Sequence, residues 1–131
     1  MKSILASLLT LFLLASLHAA DVTVEAVVAV DADTKPATTF APDTPKLVAF
    51  FRSTGTEKGV ALRGVLIAED VGDVAPANTK VLESSADADQ DNFFGGFTFS
   101  KPDHGWPVGK YRVEFYVGDK LVGTTKFSIA K

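Results

Sequence analysis

Lys110-Tyr111-Arg112-Val113-Glu114-Phe115-Tyr116-Val117, then Gly118-Asp119, then Lys120–Ala130, is the stretch that decides the fold. Tyr111, Val113, Phe115 and Val117 fall on one face, and Arg112, Glu114 and Tyr116 on the other. That strict period of two is the signature of a strand with one buried side. Gly118-Asp119 is a tight-turn dipeptide between two such runs, which makes the region a hairpin. In the returning strand Leu121, Gly123, Thr125, Phe127 and Ile129 alternate against Val122, Thr124, Lys126 and Ser128. Arg112 and Glu114 are expected on a solvated face, where truncation costs little.

Upstream, short β-rich runs recur between turn residues. Val22–Val30 is a first strand. Asp31–Pro45 is a loop rich in Asp, Thr and Pro, with a short edge strand near Thr38–Phe40. Lys46–Arg52 is too continuously apolar for a one-faced strand and is placed centrally. Ser53–Gly59 is a turn, and Val60–Glu69 a third strand. Asp70–Asn78 is a loop, with at most one helical turn near Glu69–Ala75. Thr79–Ser85 is a weak fourth strand and Ala86–Asn92 an acidic turn. Phe93–Ser100 is a fifth strand, whose Gly95-Gly96 pair points to a bulge or a close backbone approach. Lys101–Gly109 is a Pro/Gly loop. About seven strands in some 110 residues fit an all-β antiparallel sandwich. A small closed barrel is the competing architecture.

Gly105–Val117, with Gly118-Asp119-Lys120-Leu121-Val122 and Phe127-Ser128-Ile129 after it, resembles the last hairpin of bacterial immunoglobulin-like extracytoplasmic domains. The shared pattern is Gly-x-Tyr-x-Val, a tight turn, and a strand ending apolar-x-apolar. True immunoglobulin domains carry a cysteine two positions after the Tyr; Val113 stands there. The resemblance implies a tyrosine corner at Tyr111, with Val113 and Phe115 as structural core positions. It covers about 25 residues and speaks to fold, since such domains serve adhesive, structural and ligand-presenting roles alike.

The N-terminus speaks to compartment. Met1-Lys2 is a short positive start, Ile4–Leu17 is almost wholly apolar, and His18-Ala19-Ala20 leads into Asp21. This is the layout of a secretory signal peptide. The apolar run is short for a membrane span, which needs about 20 residues. Residues 1–20 are therefore expected to be removed and 21–131 to form one domain, periplasmic or extracellular, with no membrane span after cleavage. Without cysteine there is no thiolate site, redox pair or disulfide. Residues 21–131 carry 12 basic against 16 acidic residues, net −4, with the basic ones scattered singly. Nucleic acid is an unsuitable partner for such a surface.

Asp87-Ala88-Asp89-Gln90-Asp91-Asn92 places carboxylates at alternate positions, which can converge on calcium when a loop curls. The spacing departs from the EF-hand: position six is Asn92 and position twelve Thr98. A solvated acidic turn is the simpler reading. Glu69, Asp70 and Asp73 form a second acidic cluster, of a kind that can do acid–base work only within a cleft. His104 is the one histidine of the domain, too few for an imidazole metal site. Ser53 and His104 could be written into a triad, but no Gly-x-Ser-x-Gly elbow supports one. Trp106, Tyr116 and His104 are the candidates for a sugar- or peptide-binding surface. Against this, Trp106 followed by Pro107 suits a lid on the core, the better reading on packing grounds. The sequence therefore leads to a non-enzymatic module without cofactor that binds another envelope or extracellular protein, or else a small ligand or carbohydrate through Trp106 and its loops.

Overall fold

A computed structural model describes residues 22–131; the signal-peptide expectation for 1–20 lies outside the described residues. Eight strands form in chain order: β1 Thr23–Ala29, β2 Thr39–Phe40, β3 Lys46–Thr54, β4 Ala61–Asp70, β5 Thr79–Asp87, β6 Phe94–Ser100, β7 Gly109–Val117 and β8 Lys120–Ile129. One sheet has the order β1-β3-β6 and the other β2-β8-β7-β4-β5. Two open sheets make this a sandwich and set aside the barrel. The Glu69–Ala75 segment forms no helical turn; β4 runs on to Asp70 and a turn follows.

The predicted short edge strand exists, but it pairs parallel to β8, Thr39 with Ser128 and Phe40 with Ile129. Residues 31–38 thus carry the chain from one sheet to the other. β3 is central in its sheet, with Leu47, Ala49 and Phe51 buried toward the partner sheet. β5 is longer than the sequence indicated and continues to Asp87.

The hairpin β7–β8 forms as read, with one correction. Phe115 pairs with Gly123 but Tyr116 with Leu121, so Val122 is an extra residue on β8. The bulge resets the alternation. Val122 is buried and Leu121 is exposed, the reverse of the simple alternation. Gly123, next to the bulge, is a point of close approach. A side chain there would meet the Val24 carbonyl oxygen at 2.3 Å, where β1 crosses close to β8. The Gly95-Gly96 pair makes a close approach without a bulge: β6 stays in register with β3, and Val48 and Phe50 lie over Gly96.

The core holds two aromatic groups. Phe51 sits 5.3 Å from Phe93 and 5.1 Å from Phe97, and Phe115 lies 5.9 Å from Phe51 and 6.1 Å from Phe97. Tyr111 stacks on Phe127 at 5.2 Å and meets Trp106 edge-on at 6.1 Å. Tyr111 and Phe115 are four positions apart on β7, about 13 Å of strand. The aromatic groups therefore brace opposite ends of the sandwich, and Val113 is fully buried between them.

Candidate functional site

The Trp106 end of the sandwich carries the most site-like concavity. The β6–β7 loop crosses this end. Trp106 donates its backbone N–H to the Pro42 carbonyl at 2.9 Å, and its ring N–H to the Thr44 carbonyl at 2.9 Å. These bonds fix a ring that is only 2% exposed. Trp106 is thus the lid of the core. Its outer surface, with Tyr111, Ala68 and Val71, contributes to a groove of about 410 Å³. Val74 and Ala75 from the β4–β5 loop, and Thr79 and Val81 from β5, form the other bank. Val74 is 69% exposed and Val81 37% exposed, so with the groove lining they form one contiguous apolar patch. Asp103 and His104 supply most of the polar rim.

Val81 reaches the groove by a backbone irregularity. Leu66 pairs with Leu82 but Ile67 with Lys80, so Val81 is a bulged residue on β5. Bulges re-aim side chains beside working surfaces. Sequence reading missed Val74 and Val81, because one lies in a segment read only as a loop and the other in a strand read as weak.

Of the ligand-binding candidates, Trp106 and His104 come together here and Tyr116 does not. Tyr116 lies on the outer face of the five-stranded sheet, near the opposite end of β7. Its hydroxyl donates to Glu114 Oε1 at 2.8 Å, and the Arg63 guanidinium lies 4.7 Å from its ring centre. The Glu114 bond, with some burial, raises its pKa. The platform of Trp106 and Tyr116 is therefore corrected: the two rings share no surface. Tyr116 instead joins a chain of charges in which Arg112 bonds Glu114 and Asn78 and pairs with Glu69, while Arg63 pairs with Glu83.

The acidic turn is tied to its neighbour. Asp91 Oδ1 accepts from the Lys58 N–H at 2.8 Å, and Asn92 Oδ1 from the Gly55 N–H at 2.7 Å. Ala88 between the carboxylates is buried and exchanges backbone bonds with Gly59 and Val60. Asp87 belongs to β5 and Asp89 is exposed. Among the described residues no three His, Cys, Asp or Glu side chains gather as a metal site. The second acidic cluster is divided too: Glu69 faces Arg112 and Lys126, and Asp70 accepts from the Gly72 N–H. Ser53 is buried, donates to the Phe93 carbonyl at 2.9 Å and bonds Thr56 at 2.6 Å. The length of β6 separates it from His104, so the written triad does not assemble.

A solved structure of an immunoglobulin-like protein from Pseudomonas aeruginosa aligns over 83% of this chain and 91% of its own, with TM-score 0.52 and 13% identity. An alkylpurine DNA glycosylase from Pseudomonas fluorescens, bound to DNA with an abasic-site analogue, aligns over 84% of this chain and 30% of its own, with TM-score 0.52 and 10% identity. No protein-family model matches, and no curated protein matches in sequence. At such identities the likeness shows fold alone. The fold is immunoglobulin-like: a two-sheet β-sandwich closed by a tyrosine corner.

Proposed function

We propose that this chain is an exported, non-enzymatic binding module, periplasmic or extracellular, that recognises a partner protein at the Trp106 end. The observation that carries this reading is the exposure of Val74 and Val81 around an apolar groove floored by a rigid Trp106. Apolar pockets with few polar groups are where recognition energy concentrates. The other concavity of similar size, about 430 Å³, is lined mostly by polar and charged groups, Thr38, Thr39, Glu69, Lys110, Lys126 and Ser128.

A photo-crosslinking residue at Val74, in protein exported by its native host, tests the reading. A single partner should be captured there and be lost when Val81→Asp is added. The same probe at Leu121, exposed on β8, should capture nothing comparable. Equal capture at both positions would overturn the proposal. Intact mass of the exported protein tests export, with a start at or near Ala20 expected.

A second reading, a small apolar or carbohydrate ligand in the groove, is favoured by the concavity itself. Trp106 is the sole tryptophan of the chain, so its fluorescence reports groove occupancy directly. Saturable response to a small ligand, with no protein captured at Val74, would support this alternative.

A further inference from the structure

We propose that the occupant is an extended segment of a partner protein, apolar with basic ends, that adds to the free edge of β5 and seats a bulky side chain in the groove. The inference rests on the groove being a protein-binding site and specifies what enters it.

β5 ends its sheet: the order β2-β8-β7-β4-β5 leaves it paired with β4 alone. An edge of this kind presents unpaired N–H and C=O groups to an incoming strand. From Leu82 to Asp87 the strand keeps regular register with β4, Leu66 to Leu82 through Ala61 to Asp87. The edge is thus straight for six successive pairs before the bulge. It carries no proline, and Leu82 is 43% exposed. The bulged Val81 lies where the edge meets the groove and lines it with Thr79. A strand laid along Leu82–Asp87 therefore runs directly to the apolar pocket. Backbone pairing of this type supplies affinity, and a side-chain pocket supplies selectivity.

The charges select the sequence of the segment. At the groove end stand Asp103 on the rim and Asp73 beside Val74 in the adjoining loop, against one cation, Lys80, which pairs with Glu83 at 3.6 Å. At the far end stand Asp87, Asp89 and Asp91. Lysine or arginine at both ends of the incoming segment complements both groups. A second copy of the chain does not: its own β5 brings Glu83 and Asp87 against one lysine, Lys80, and meets the same carboxylates.

The test uses two short synthetic peptides of alternating Thr and Val with one central Phe, one flanked by Lys-Lys at both ends and the other by Glu-Glu. The basic peptide should change Trp106 fluorescence saturably and shift the amide resonances of Leu82–Asp87, weakening as salt is raised. Its twin should bind at least about tenfold more weakly. Leu82→Lys and Asp103→Asn should each weaken the basic peptide without altering melting. Equal binding of both peptides overturns the charge argument. A Trp106 response with unmoved β5 amides overturns strand addition, as does dimerisation of the chain along β5. A partner crosslinked at Val74 whose binding leaves those amides unmoved would sink this inference alone. Absence of any crosslinked partner would sink the underlying reading.

Discussion

Tyr111 donates its hydroxyl proton to the carbonyl of Pro107 at 2.6 Å, so the strand is tied to the loop that brings in Trp106. The same ring stacks on Phe127 with 6° between planes. One residue thereby joins β7, β8 and the groove floor. Tyr111→Phe keeps the stack and removes the tie, leaving the Pro107 carbonyl unpaired. A cost of about 1–3 kcal/mol is expected in urea melts, with the fold unchanged. Val113→Ala, fully buried on the same face, should cost a few kcal/mol at most through a cavity. No loss in either variant would remove the corner from the stability argument.

Burial pushes the Tyr111 hydroxyl up to about 12 from its ordinary 10.0. Below about pH 10 the folded and unfolded states both hold the proton, and its contribution to stability is complete. Between 10 and 12 the unfolded chain ionises first, so stability falls as pH rises; above 12 the fall ends. Tyr116 is shifted in the same direction by Glu114 and adds a smaller slope of the same sign. Melting measured across pH 9–12 should show the decline, reduced in Tyr111→Phe and reduced further when Tyr116→Phe is added. A decline unchanged in the double variant would place its origin elsewhere.

The hairpin and its tyrosine were legible because period-two patterning and a two-residue turn are local signals. The bulge at Val122 was not: beside it Gly123 lies against the Val24 carbonyl, 99 positions earlier, a contact no local pattern displays. The groove was half legible for the same reason. Trp106 and His104 announce themselves by type, whereas Val74 and Val81 gain meaning only from what the fold sets beside them. Tyr116 was misassigned because strand alternation gives a face, and the partners of that face, Arg63 and Glu83, come from other strands.

The outer face of the five-stranded sheet also differs from the solvated surface that the alternation suggested. Val65 and Ile67 point outward yet are buried, and their sheet partners on β7 are Glu114 and Arg112. Arg112 bonds Glu114 and Asn78, pairs with Glu69, and has a side chain only 20% exposed, so its stem is largely out of water. Arg112→Ala should therefore cost about 1–2 kcal/mol, more than a free surface arginine. Arg112→Met, which keeps the stem, should recover a good part of the loss. If alanine and methionine prove equally mild, the charge chain adds nothing to stability.

Calcium should leave the melting temperature of the domain unchanged, and so should EDTA. Alternate carboxylates can serve a cation only if several oxygens turn inward together. Here Asp91 spends an oxygen on the Lys58 N–H, and Ala88 faces the core between Asp87 and Asp89. Asp87 is held in β5 opposite Ala61, and Asn92 adopts a left-handed backbone (φ 52°) that aims its side chain at Gly55. The turn is thus built to clasp the Ser53–Gly59 segment, with the Asp91 carboxylate and the Asn92 amide oxygen each accepting from a backbone N–H. Asp91→Ala should then lower stability by about 1 kcal/mol equally with and without calcium, since only the loop bond is lost. A rise of many degrees on adding calcium, abolished by Asp91→Ala, would mean that the turn reorganises around a bound ion.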